Sequence, residues 1–247
     1  MIRKSIITLV MVMAAAYAFA DKRHFAWTYE WMTMPKGMAE VEYYLTAESP
    51  VLAKANVNTW KHWVELEAGI FDIWDVSLYQ MFKQSNRETG SSFQYDGFKL
   101  RTRLRVPELA EFMPDFLFYL EYIHDADFTM PHVLEAKVIV AKEILNQFQL
   151  SYNQVIEYEI AGAISWEYAA GISYSLSPSF GFGVESKGNF TSAKFYAGPT
   201  VSFATPQFWA AISMLVGLNG VSDNLQARII LGVPLIPFTP PAKRTNQ

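Results

Sequence analysis

Phe98-Lys99-Leu100-Arg101-Thr102-Arg103-Leu104-Arg105-Val106 puts Phe98, Leu100, Leu104 and Val106 on one parity. Four cations, Lys99, Arg101, Arg103 and Arg105, fall on the other. Successive side chains of an extended strand point to opposite faces, so a strand sorts this stretch into a greasy side and a charged side. A helix would scatter the same cations around its circumference. The stretch reads as a β-strand.

The alternation continues in both directions from there. Val41, Tyr43 and Leu45 oppose Glu40 and Glu42; Val64, Leu66, Ala68 and Ile70 oppose Lys61, Glu65 and Glu67. Trp74, Val76 and Leu78 oppose Asp75, Ser77 and Tyr79. Phe116, Phe118, Leu120 and Tyr122 oppose Glu121, and Leu134, Ala136 and Val138 oppose Glu135 and Lys137. Further segments follow at Phe148–Ile160, Ile164–Leu176, Phe180–Glu185, Phe195–Phe203, Phe208–Leu218 and Leu225–Val233. Period-two patterning on this scale predicts an all-β chain of about twelve antiparallel strands.

Turn-forming residues separate the segments. One set of connections is tight: Gly69–Asp72, Ser177–Ser179 and Ala204–Gln207. The other is longer and polar: Ala47–Thr59, Lys83–Gly97, His124–His132, Ser186–Ala193 and Asn219–Asn224. Short turns at one end and long loops at the other are the asymmetry of an up-and-down barrel in an outer membrane. Glu108–Met113 is expected to hold a helical turn.

The N-terminus carries an address. Arg3 and Lys4 precede a nearly unbroken apolar run from Ile6 to Ala16, and Ala18-Phe19-Ala20 fits the small-x-small cleavage rule. The run is shorter than the ~20 residues of a spanning helix. Any membrane residence is therefore β, because only helices and closed barrels satisfy their backbone in lipid. Soluble sandwiches and lipocalin-like barrels also alternate, with the apolar face turned inward. Three features favour a membrane barrel over these. The apolar face carries large residues on nearly every strand. Both charge signs sit at strand centres. Trp60, Trp63, Trp74, Tyr79, Tyr122, Trp166, Tyr174 and Trp209 lie at or near strand ends, where aromatic girdles would form. The domain reading is a signal peptide at 1–20, an N-terminal periplasmic segment at 21–37, a transmembrane barrel at 38–235 and a C-terminal tail at 236–247.

Composition closes other routes. The 247 residues contain no cysteine, which excludes disulfide scaffolds, thiol catalysis, Cys-ligated metals and a lipoprotein anchor. A net charge of -4 argues against a nucleic-acid footprint.

Thr33-Met34-Pro35-Lys36-Gly37-Met38-Ala39-Glu40-Val41-Glu42, Gly198-Pro199-Thr200-Val201, the strand Phe208–Leu218 and the closing Ala227–Leu235 together resemble small bacterial outer-membrane β-barrel transporter families, including barrels associated with phenol-degradation clusters. The resemblance implies an exported Gram-negative outer-membrane protein, assembled by the barrel-assembly machinery and surrounded by outer-membrane lipid. Small solutes would be its cargo. Many such barrels finish on an aromatic residue, whereas this chain runs on to Gln247.

The cation ladder is the sharpest candidate site. Lining a lumen, Lys99, Arg101, Arg103 and Arg105 would lower the barrier for anions, as rings of charge do in pores. The competing reading pairs them with lumenal acids: Glu40, Glu42, Glu65, Glu67, Asp75, Glu121, Glu157 and Glu159. Unpaired charge in a narrow interior is costly, so pairing is expected under either reading. The four histidines, His24, His62, His124 and His132, all precede residue 133, which leaves little for a hydrolase to use as a base. His124-Asp125-Ala126-Asp127 with His132 matches no defined metal spacing. No cofactor or enzymatic activity is implied. The expected function is a narrow channel for passive movement of small solutes, anions favoured if the ladder faces an open path. The alternatives are a non-conducting structural or adhesin barrel plugged by its ion pairs, and a transporter of hydrophobic solutes.

Overall fold

A computed structural model describes residues 22–54, 56–160 and 162–235. The signal peptide expected at 1–20 and the tail at 236–247 lie outside the described residues. Twelve strands form one sheet that closes on itself: β1 Ala39–Ser49, β2 Asn58–Phe71, β3 Trp74–Arg87, β4 Gly90–Arg105, β5 Asp115–Asp125, β6 Val133–Ile144, β7 Phe148–Glu159, β8 Ile164–Ser177, β9 Phe180–Asn189, β10 Lys194–Ala204, β11 Trp209–Gly217 and β12 Leu225–Pro234. Each strand pairs antiparallel with its sequence neighbours. β12 returns to β1 with Tyr43 opposite Leu231 and Thr46 opposite Arg228. Closure leaves no sheet edge, the condition for β structure in lipid. Among the described residues no helix is long and apolar enough to cross a membrane.

The two faces separate as the alternation requires. Leu66, Leu100, Phe118, Leu120, Ile172 and Val216 are 47–51% exposed on the outside, while Glu65 and Glu67 are fully buried within. A soluble barrel would show the reverse. The outward surface is an apolar belt, continuous from strand to strand.

Several connections differ from expectation. β3 and β4 continue through most of 83–97 and meet in a two-residue turn at 88–89. Lys83–Arg87 is polar on both faces, and beyond the turn only Phe93 and Tyr95 interrupt the polar run, so the stretch shows little of the alternation that marks strands within the lipid. β9 likewise runs on to Asn189. No helix forms at Glu108–Met113; the segment 106–114 is irregular, with one turn closed by the Met113 N–H to the Ala110 carbonyl at 3.0 Å. Pro107 and Pro114 bracket it, and nothing packs its short apolar set as a helix face. The β6–β7 connection is tighter than its sequence suggests. Leu145 and Asn146 both take positive φ (56° and 53°) between the bonded Ile144 and Gln147, a hairpin turn whose twist suits antiparallel strands.

The largest departure concerns residues 21–37. The described part, 22–37, is not a segment outside the barrel: it enters the lumen from the end that carries the short turns, the periplasmic end by the asymmetry above. It rises to mid-height and returns to lead into β1. Phe25, Ala26 and Thr28 are fully buried, and Glu30, Thr33 and Met34 nearly so. The barrel has a core after all, supplied by its own N-terminal hairpin.

Candidate functional site

Lumen-facing side chains build the site, and the N-terminal hairpin organises them. Its apex has no strand partner, so its backbone donors take side chains from the wall. Glu185 on β9 accepts the N–H groups of Ala26, Trp27 and Thr28 at 2.8–2.9 Å and the Thr28 hydroxyl at 3.1 Å. Asn153 on β7 accepts from the Tyr29 N–H and donates to the Tyr29 carbonyl, which also receives the Ser151 hydroxyl. Further down, the Met34 N–H reaches Asp75 at 3.0 Å and the Thr33 hydroxyl the Asp72 carbonyl at 2.9 Å. Two wall glycines make room. A Cβ on Gly171 would lie 2.5 Å from the Phe25 ring, and one on Gly69 would lie 2.1 Å from the Pro35 carbonyl oxygen. Such close backbone approach is what a strand glycine permits.

Two ionic clusters surround the hairpin. In the first, Arg101 meets Glu65 at 2.8 Å and Glu67 at 2.5 Å and donates to the Tyr79 hydroxyl. Arg103 binds Glu67 and clamps Asp75. Arg23 of the hairpin joins through Tyr44 at 2.9 Å and Glu42 at 3.6 Å. In the second, Lys99 pairs with Glu121 at 2.8 Å and Lys137 with Glu135 at 2.9 Å. Tyr29 sits above Lys137, with its ring edge against Tyr119.

All four members of the cation ladder therefore face inward, and three of them are neutralised by carboxylates. Arg105 differs. It stacks 4.6 Å from the Trp31 ring of the hairpin and donates to the Asp72 carbonyl. Of the predicted acids, Glu42, Glu65, Glu67, Asp75 and Glu121 belong to these clusters. Glu40 is buried apart from them, accepting from the Trp209 indole at 2.8 Å. Glu157 faces the lumen opposite Glu135, and Glu159 is exposed at the strand end, away from both clusters. Carboxylate oxygens of Glu42, Glu65 and Glu67 lie within 4.8 Å of one another, a spacing that could hold a metal ion. The three guanidinium groups already occupy that charge.

Parity found the lumenal residues, yet three aromatics expected in girdles are lumenal too: Tyr79 and Trp209 are buried inside, and Trp63 packs against Tyr44. The histidine loop is likewise spoken for. His124 stacks on Phe98, and His132 contacts the Tyr122 hydroxyl. In the same loop, bonds from the Thr129 hydroxyl and N–H hold Asp127 below the usual carboxylate range.

Reading from the residues alone missed His24. Its Nδ1 lies 2.7 Å from Glu30, and its Nε2 lies 3.4 Å from the Ser175 hydroxyl. Glu30 also accepts the His24 N–H. The trio fastens the hairpin's first limb to β8 at the periplasmic mouth.

Cavities flank the hairpin at both ends. A periplasmic one, about 810 Å³, is lined by His24, Glu30, Trp31, Asp115 and Lys142 among others. The external one, about 280 Å³, is lined by Lys61, Lys187, Tyr196, Gln226, Glu48 and Glu167 among others.

With that geometry, the comparison with solved structures is decisive for the fold. The COG4313 outer-membrane channel from Pseudomonas putida F1 superposes with a TM-score of 0.59 at 9% identity, over 83% of this chain and 97% of that one. The KdgM porin gives 0.58 at 6% identity (78% and 98%), and the NanC porin 0.52 at 8% (79% and 98%). The fold is that of outer-membrane channels. No family model matches the chain, and no curated protein matches it by sequence. The barrel belongs in the bacterial outer membrane, its apolar belt against lipid.

Proposed function

We propose that the protein is an outer-membrane channel for small hydrophilic solutes, closed in this state by its own residues 22–37. The reading rests on one observation: a polar lumen with a cavity at each end, interrupted at mid-height by a hairpin hung on Glu185 and Asn153. Its likeness in fold to the KdgM and NanC porins, at 6–8% identity, supports a passive pore. Lys99, Arg101 and Arg103 are charge-matched, so in this reading they brace the wall around the hairpin and do not select among ions.

Planar-bilayer recording tests the reading. The intact protein should open rarely. Glu185→Ala removes the acceptor of three backbone N–H groups and should raise open probability at least several-fold, since each orphaned buried donor costs about 1–3 kcal/mol of the closed state. Silence from both proteins, each shown to be folded, would overturn the channel reading in favour of a non-conducting barrel sealed by its ion pairs.

A further inference from the structure

Besides Arg105, which the Trp31 ring and the Asp72 carbonyl hold, two cations deep in this lumen have no carboxylate to answer them. Lys187 on β9 and Arg228 on β12 face the interior, and among the described residues no carboxylate lies within ion-pair reach of either. Both press on one ring of the hairpin instead: Lys187 Nζ is 3.6 Å and Arg228 Cζ 3.8 Å from the centre of the Trp27 indole. Arg228 is also 5.2 Å from the Trp63 ring and donates to the Thr46 hydroxyl at 2.9 Å.

The nearby acids are engaged elsewhere. Glu48 pairs with Lys61 at 2.8 Å, Glu167 accepts from Asn189 at 2.7 Å, and Glu185 holds the hairpin backbone. Two like charges gathered on one side chain repel, and cation–π contacts return only part of that.

The hydrogen-bond inventory points the same way. Trp27 is 8% exposed, yet its indole N–H has no acceptor, and neither has that of Trp63. A buried donor without a partner marks a place where something polar belongs. Two uncompensated cations and two unsatisfied N–H donors share one chemistry: each is completed by a negatively charged oxygen. The site is reachable from outside, since Lys187 lines the external cavity and Arg228 lies two residues below Gln226 on the same face of β12.

We infer that the external vestibule holds an oxyanion-binding site built by Lys187, Arg228 and the indole N–H groups of Trp27 and Trp63. Its ligand is a small carboxylate or sulfate carrying one or two negative charges. The oxygens accept from the indoles while the two cations supply the neutralising charge. The inference goes beyond the channel reading and does not depend on conduction.

Calorimetric titration of the full folded protein in detergent micelles, with sulfate and with succinate at constant ionic strength, tests it. Saturable one-to-one binding is expected. Lys187→Gln and Arg228→Gln should each weaken it at least tenfold, and Trp27→Phe several-fold, because that change keeps an aromatic face for the cations and removes the N–H donor. Lys187→Arg should restore most of the affinity. Lys83→Gln, in a pair with Asp96 on the outer hairpin, should stay within twofold of the parent. Absence of saturable binding by the parent overturns the inference, as does unchanged affinity in folded Lys187→Gln. Should the glutamine variants not fold, the parent and Lys187→Arg decide alone. Binding with no conductance from either the parent or folded Glu185→Ala upholds the site and removes the channel reading; conductance without binding does the opposite.

Discussion

Lys99 and Glu121 show what a single pair contributes here. The ammonium is 2.8 Å from the carboxylate, which also accepts from the Tyr119 hydroxyl at 2.7 Å, and both charged ends are withdrawn from bulk water. Lys99→Met leaves Glu121 buried without its counter-charge and should destabilise the barrel by about 3–5 kcal/mol; the pair Lys99→Met with Glu121→Gln should recover much of the loss. Guanidinium unfolding of the two variants in detergent reads the difference, and equal midpoints would deny the pairing. A second prediction concerns Ser175. Its hydroxyl is 3.4 Å from His24, outside the ~2.6–3.2 Å reach of an activated nucleophile. A fluorophosphonate should leave Ser175 unmodified by mass spectrometry, and a labelled Ser175 would make the trio catalytic. The lumenal charges were legible at this scale because period two assigns every residue of a strand to a face. Partner choice was not: Arg101 meets Glu65 and Glu67 across β3, through register that no local pattern encodes. Tyr79 and Trp63 show where one rule displaced a better one, since their parity already placed them inside while their aromatic character suggested a girdle.

The strands were readable wherever lipid lies on one side, since only there must one face be apolar. The outer ends of β3 and β4 escaped notice for that reason. The hairpin at 22–37 escaped for another: the backbone of its apex bonds to residues more than a hundred positions away, Glu185 and Asn153, so nothing nearby announces its place. One signal was available. Phe25, Trp27, Tyr29 and Trp31 alternate with period two, an extended pattern too aromatic for a solvated tail. Gly69 gives this element its test. A Cβ there would collide with backbone oxygens of Met34 and Pro35 at 2.4 and 2.1 Å, atoms that cannot swing aside as a side-chain tip can. Gly69→Ala should push the hairpin's exit limb off β2 without removing any lumenal charge. Limited proteolysis should then cut within 22–37 at least several-fold faster than in the parent, with the barrel strands still protected. Unaltered cleavage would mean that the hairpin is not seated against β2.

At the scale of the whole molecule, sidedness is the property from which the others follow. Strand alternation alone is shared with soluble β proteins, and the exposed Leu and Phe rows matter only because of the medium they meet. Leu120 lies midway along β5, 51% exposed on the outer face, opposite Ala136 and Thr102. An arginine at a solvent-exposed position of a soluble protein typically changes stability by less than ~0.5 kcal/mol. At the middle of a bilayer the same change costs about 2–4 kcal/mol, because the guanidinium must be desolvated or must drag water and headgroups inward. Leu120→Arg compared with Leu120→Ala, unfolded from phosphatidylcholine vesicles, should show a difference in that higher range. Leu104→Arg, one residue from the end of β4 on the same outer face, should cost less, since cost falls toward the interface. A flat response at both positions would mean that the belt does not meet hydrocarbon. The ionic interior would then need another explanation, because only a lipid-clad wall forces this many acids and bases to settle their charges with one another and with the hairpin threaded among them.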